Sequence, residues 1–402
     1  MNNKNNFFTF FSLYIAQQIP MSFFATIIPV IMRQEKFSLS TIGFTVALIK
    51  LPWILKFLWS PMVDRFNVTI KDYKRWIFFS ESVFAVFIFA VAFFDLLTSF
   101  YTILILLMIS FVASATQDIA TDALATQAFD RKNKSMINSM QSMGHFGGAM
   151  IGGGVLLWFF ERIGWGNITP FLALFVMVAL LPLYLNRGLT INREQSVAKR
   201  VKPNDIFRFF TQGGGIGKQI GFLLLYYVSL IGTLAMISPY LVDLGYDTKQ
   251  ISLMRGFFGP AVGLIASFTG GLIIRKIGRY HSRILFAILI LFTTFYFFLI
   301  STNPHPETQL LYIGILLLWG SYGMAAVLVY TLAMDYARKG REGTDFTIQT
   351  VIAQLSGIGI VSVSGKIAHN AGYSSLFLFE LGLACLSLIY VLIVFRKKEV
   401  ND

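Results

Sequence analysis

Apolar residues run along this chain in long blocks, and polar residues gather in the gaps between them. Twelve blocks can be read, near 8–32, 41–63, 76–95, 100–128, 137–160, 168–186, 219–242, 252–274, 283–302, 309–334, 346–368 and 373–395. Each is long enough to cross a hydrocarbon core of about 30 Å as a helix rising 1.5 Å per residue. The pattern predicts an all-α membrane protein with twelve transmembrane helices. The longest polar stretch, 187–218, divides it into an N-terminal six-helix half (1–187), a linker (188–218) and a C-terminal six-helix half (219–402). Within the linker, NDIFRFF reads equally well as a short amphipathic surface helix or as part of a flexible tether.

The halves look related. Span one ends at PVIMRQEKFSLSTIGF from Pro29 and span seven at PYLVDLGYDTKQIS from Pro239, an offset of 210. Spans two and eight both run into a basic turn, DRFNVTIKDYKRW and RKIGRYHSR. Two parallel six-helix repeats predict a transporter whose substrate site lies between the halves, near the midplane.

Composition narrows the class. The chain is 55% hydrophobic and only 13% charged, with mean hydropathy +0.67, too apolar for a water-soluble surface. With 402 residues shared among twelve spans, no room remains for a soluble domain. The net charge of +13 could suggest nucleic acid, but its distribution excludes that partner. Lys4, the loops near 64–75, 131–134, 187–218, 275–283 and 338–341, and the tail 396–398 hold 25 of the 33 Lys and Arg. All lie on one predicted side, which places both termini in the cytoplasm. The single cysteine, Cys385, rules out an intrachain disulfide or thiolate metal cluster, and no metal or cofactor is expected. The first span is too long for a signal-peptide core and lacks a cleavage site, so it is expected to stay.

The chemistry concentrates in span four, SFVASATQDIATDALATQAFDRK. Ser110, Ser114, Asp118, Asp122 and Thr126 recur every four residues and form one polar stripe, flanked by Gln117 and Thr121. A carboxylate at membrane depth costs several kcal/mol unless paired, hydrated or protonated. Two of them one turn apart repel, which suits a proton carrier; anchoring through salt bridges is the plainer alternative. Span two, KLPWILKFLWSPMVDRF, carries Lys50 and Lys56. Lys56 precedes Arg65 by nine residues, as Asp122 precedes Arg131, so both lie about 13 Å above the basic boundary. Lys56 is therefore expected to pair with Asp118 or Asp122, and protonation to loosen the pair. Lys50 lies higher, free to face a water-filled cavity or to snorkel.

These segments, with GGGVLLWFFERIGW from Gly152, resemble the muropeptide permease-like (AmpG-like) branch of the major facilitator superfamily. Within it they look most similar to siderophore permeases of the rhizobactin and pyochelin type. The resemblance runs from Gln17-Gln18-Ile19-Pro20 through Trp165. It implies a monomeric, proton-coupled importer of a bulky polar metabolite across a bacterial inner membrane, most readily a siderophore; the alternatives are a muropeptide or an acetyl-CoA-type cargo. It carries over Lys50, Lys56, Asp118 and Asp122 as the buried charged set. Read from the residues themselves, Asp118, Asp122 and Lys56 are the candidates for proton coupling, and Lys50, Gln17, Gln18, Gln117, Gln141, His145, Tyr226 and Tyr322 those for the substrate cavity. Asp64 and Arg65 match the superfamily's gate, and GGLIIRKIGRYHSR repeats that motif with Arg275 and Arg279. Relatives often carry Tyr-Arg in span five where this chain has His145 and Phe146; the missing guanidinium weakens the anionic-cargo readings.

Other features are less decisive. The glycines of span five, with GxxxG spacing at Gly148 and Gly152, predict close helix packing. Glu81 is expected in a surface pair near the start of span three. Glu380, deep in span twelve, is read as structural or titrating. Tyr226, Tyr227, Trp319, Tyr322 and Tyr330 could form an aromatic wall, although core packing is the default for each. Span ten has no acidic stripe, so proton chemistry is expected in the N-terminal half. A membrane-embedded acyltransferase would need a histidine constellation, whereas His281, His305 and His369 sit in loops without an acidic partner. No enzyme activity is expected.

Overall fold

The computed structural model describes residues 3–95, 98–191 and 201–395, which contain helices and no strand. In order these are α1 (Asn3–Gln34), α2 (Leu39–Leu55), α3 (Ser60–Phe66), α4 (Ile70–Val91), α5 (Phe100–Ala128), α6 (Lys134–Met150), α7 (Leu156–Ile163) and α8 (Trp165–Ala179). There follow α9 (Leu181–Leu185), α10 (Asp205–Phe210), α11 (Ile216–Leu225), α12 (Val228–Asp243), α13 (Thr248–Ile251), α14 (Gly259–Ser301), α15 (Thr308–Asp335) and α16 (Glu342–Val394). The linker segment NDIFRFF thus contributes the helix α10.

Among the described residues, nine helical stretches are long and apolar enough to cross a membrane. Two of them, Thr248–Ser301 and Glu342–Val394, are far longer than one crossing needs. Each breaks at one glycine, Gly278 (φ 81, ψ 170) and Gly372 (φ 80, ψ 173), and so supplies two traverses. The twelfth is α4, whose Lys71, Asp72, Lys74, Arg75 and Glu81 lower its mean hydropathy. A third glycine, Gly164 (φ 75, ψ 161), joins α7 to α8 in the same conformation. That region is open essentially to glycine alone. Gly164 and Gly372 stand 208 positions apart (372 minus 164), close to the repeat offset read from the two prolines.

The chain forms two compact units. Unit 1 comprises Met1–Asp130, Gly147–Phe209 and Ala337–Ile348; unit 2 comprises Arg131–Phe146, Phe210–Tyr336 and Gln349–Asp402. The core of unit 1 is aliphatic and phenylalanine-rich, with Phe23, Phe24, Phe84, Ile88, Leu107, Phe111 and Val176 buried together. The core of unit 2 gathers Phe222, Tyr226, Phe286, Phe297, Leu318, Leu328 and Phe377.

In unit 1 the glycines of span five do what their spacing predicts. A Cβ on Gly152 would lie 2.2 Å from the carbonyl oxygen of Ile19, and one on Gly148 2.6 Å from Cβ of Gln18. Only bare backbone lets α1 come this near. The same stretch, Ile151–Val155, is wound as a π-helix, as is Ser252–Phe258 of unit 2. Such segments interrupt the α ladder and are often found at functional sites.

Candidate functional site

Helix α5 carries its polar stripe into the interior of unit 1. Ser110, Ser114, Gln117, Asp118, Thr121, Asp122 and Thr126 are all buried. Lys56, in the 3-10 turn Lys56–Leu58 between α2 and α3, places Nζ 2.5 Å from Asp118 Oδ2, and both side chains are almost wholly enclosed. Gln17 Nε2 of α1 donates to Asp118 Oδ1 at 2.8 Å. One turn on, the Tyr14 hydroxyl donates to Asp122 Oδ1 at 2.8 Å. Residues of α1 and of the 3-10 turn thus converge on two carboxyl groups of α5. The attraction of such a pair offsets the desolvation of its charges only with good geometry and further hydrogen bonds, and Gln17 supplies one.

Tyr14 was not among the predicted residues, and Glu81 corrects an expectation. It is fully buried, and neither carboxyl oxygen has a hydrogen-bond partner among the described residues. The reason lies at the start of α4. Thr69 and Asp72 form a capping box that begins the helix at Ile70, so Glu81 sits eleven residues inside. That is about 16 Å along the axis. Its face, with Tyr73, Ile77, Phe84 and Ile88, is the buried one.

The predicted cavity residues divide. In unit 1, Gln17 is bound to Asp118, Gln117 Nε2 donates to Thr121 Oγ1 at 2.8 Å, Gln18 Nε2 donates to Ser22 Oγ at 2.9 Å, and Lys50 is exposed. In unit 2, Gln141 is buried and His145 is half-buried, its ring 6.5 Å from that of Tyr330. Tyr322, also half-buried, joins Phe146, Trp319 and Tyr227 in an aromatic cluster with centroids 5.7–6.5 Å apart. Tyr226 is a correction. It is buried, stacks on Phe222 at 4.2 Å, and donates to the carbonyl oxygen of Arg283 at 2.8 Å. Its hydroxyl serves the core of unit 2.

Of the residues expected to gate, Asp64 lies beyond span two and is buried in unit 1. Its Oδ1 accepts from the Gly343 amide at 3.0 Å, and Oδ2 from the Thr344 amide at 2.7 Å and hydroxyl at 2.6 Å. It therefore caps α16, whose first amides have no partner within the helix. A Cβ on Gly343 would lie 2.7 Å from Oδ1, so the glycine is what admits the carboxyl. Arg65 does not share in this cap: it is exposed, its guanidinium 6.0 Å from the Phe66 ring. In unit 2, Arg279 Nε binds Asp335 Oδ2 at 2.8 Å and its Nη2 donates to the Arg131 carbonyl, whereas Arg275 is exposed.

Burial pushes the Asp64 pKa up from 3.8 to about 7, against the pull of the Thr344 hydrogen bonds. The folded chain then holds this proton more tightly than the unfolded one. The associated stability is full below 3.8 and is lost as pH rises through about 7. Asp64→Asn cannot titrate, so it should flatten that part of the pH dependence in thermal unfolding. The cap itself should be little changed, since asparagine caps a helix about as well as aspartate. An unchanged slope would show that Asp64 does not titrate in this range.

Helices long and apolar enough to cross a membrane, with an ion pair buried among those of unit 1, describe a polytopic membrane protein. Residues 7–361 match the model of the Major Facilitator Superfamily, and the chain belongs to that family. It is similar to AmpG 4 of Rickettsia conorii, with 24% identity covering 98% of this chain and 97% of that one. It is likewise similar to the anhydromuropeptide permease of Escherichia coli K12, with 23% identity over 97% of this chain and 80% of that one. Among solved structures, the human organic anion transporter MFSD10 superposes with a TM-score of 0.73 at 15% identity, covering 97% and 100% of the two chains. That likeness concerns the fold.

Proposed function

We propose that this protein is a proton-coupled secondary transporter that imports a muropeptide-type metabolite across the bacterial inner membrane by alternating access, with both termini in the cytoplasm. The observation that carries the coupling part is the enclosed Lys56–Asp118 contact, braced by Gln17. Protonation of Asp118 removes its charge and loosens its hold on Lys56. The two protonation states then favour different arrangements of the helices, as coupled transport requires.

For the cargo, support comes from the relative named an anhydromuropeptide permease, which matches nearly the whole chain. The siderophore reading rests on motif resemblance alone and gives way to it. Phe146, at the position where the resemblance implies an arginine, packs against Trp319 and Tyr322, so an anionic cargo must find its cation elsewhere. Arg255, in the π-helical segment of unit 2, has the Ser238 hydroxyl at 2.9 Å as its one partner among the described residues. Lys50 in unit 1 is exposed. Both are available to a carboxylate or phosphate.

The test is uptake into proteoliposomes driven by an acid-outside gradient, with labelled anhydromuropeptide and a ferric siderophore supplied separately. Gradient-dependent accumulation of the muropeptide alone is expected. Accumulation of the siderophore alone would reverse the assignment.

A further inference from the structure

Unit 2 holds an acidic side chain that the coupling site does not use. Glu380 lies in the second segment of α16, eight residues past Gly372 and fourteen before Val394. It is therefore about 12 and 21 Å from the ends of that segment. It is fully buried. Oε1 sits 2.5 Å from Ser364 Oγ, Ser364 Oγ in turn sits 2.8 Å from the carbonyl oxygen of Ile360, and Oε2 has no hydrogen-bond partner.

These contacts constrain where protons can be. A carbonyl oxygen only accepts, and a serine hydroxyl carries one proton. When Ser364 donates to Ile360, the proton between Ser364 Oγ and Glu380 Oε1 must come from the carboxyl group. When Ser364 donates to Glu380 instead, two oxygen lone pairs face each other at 2.8 Å. Only the first arrangement satisfies both contacts.

The surroundings agree. On α12 the titratable groups are Tyr240 and Asp243, both engaged with Tyr373: the rings of Tyr240 and Tyr373 pack at 4.9 Å and the Tyr373 hydroxyl donates to Asp243. On α16 itself Lys366 and His369 are exposed. Lys218 lies near the start of α11, and Asp335 of α15 is held by Arg279 and Lys134. Among the described residues Glu380 has Ser364 as its one hydrogen-bond partner and no ion pair. An ionised carboxylate there would be uncompensated, at a cost of several kcal/mol or more. The niche is also shaped for the group: a Cβ on Gly232 would lie 1.9 Å from Oε1 and 2.7 Å from Ser364 Oγ.

We propose that Glu380 is a proton-binding site of unit 2, loaded as the neutral acid, with Ser364 as its acceptor and Gly232 as the wall that admits it. Its release step is simple: when water reaches Oε1, the carboxyl O–H breaks heterolytically, the proton passes to that water, and a carboxylate remains.

Infrared difference spectroscopy of the full-length protein in lipid nanodiscs tests this. The wild type should show the C=O stretch of a buried protonated carboxyl at neutral pH, Glu380→Gln should lose it, and Ser364→Ala should shift it. Because glutamine mimics the neutral acid, Glu380→Gln should keep the wild-type unfolding temperature. An unchanged carboxyl spectrum in Glu380→Gln would overturn the proposal. Should that variant fail to fold, Ser364→Ala decides: a shifted band supports the site and an unshifted one overturns it.

Discussion

Asp118→Asn is expected to abolish accumulation of substrate against its gradient while leaving exchange of substrate across the membrane largely intact. The amide keeps an oxygen for the Gln17 donor but cannot take up a proton. Without that step, the gradient has nothing to act on, whereas exchange needs only the loaded carrier to reorient. Counterflow and gradient-driven uptake in the same proteoliposomes separate the two. Full uphill transport by this variant would remove Asp118 as the proton carrier, and loss of both activities would point to a structural role.

Lys56→Met should be the most destabilising substitution at the site. Asp118 is 4% exposed, and removing the ammonium leaves a buried charge uncompensated. Breaking a buried pair from one side typically costs 3–5 kcal/mol, whereas replacing both partners is often nearly neutral. Adding Asp118→Asn to Lys56→Met should therefore recover most of the lost stability in thermal unfolding. If the two losses simply add, the residues are not energetically coupled and the pair has been misjudged.

The stripe on α5 was legible because helical periodicity is local: five polar residues at intervals of four can only share a face. The depth of Lys56 can be counted in residues from the basic boundary, which sets it level with Asp122; that its partner is Asp118, one turn away, is decided only by the packing. Glu81 was misread because the start of α4 was placed six residues late, although Thr69 and Asp72 spell a capping box. Tyr14 gave no such signal, since its hydrogen bond depends on where α1 lies against α5. Tyr226 could not be told from a ligand-facing aromatic in a chain so rich in them; only its contacts with Phe222 and Arg283 decide. Nor could sequence foresee that 131–146 belong with unit 2 and 337–348 with unit 1. Membership in a compact unit is set by packing between distant segments, which no local pattern encodes.

The glycine joints at 164, 278 and 372 carry a practical corollary. Where one residue makes the whole turn, there is no slack to receive an epitope tag, a fluorophore linker or a protease's active-site cleft. Labels inserted at these three points should unmake the hairpin they were meant to report on, so probes of the working cycle belong at other positions.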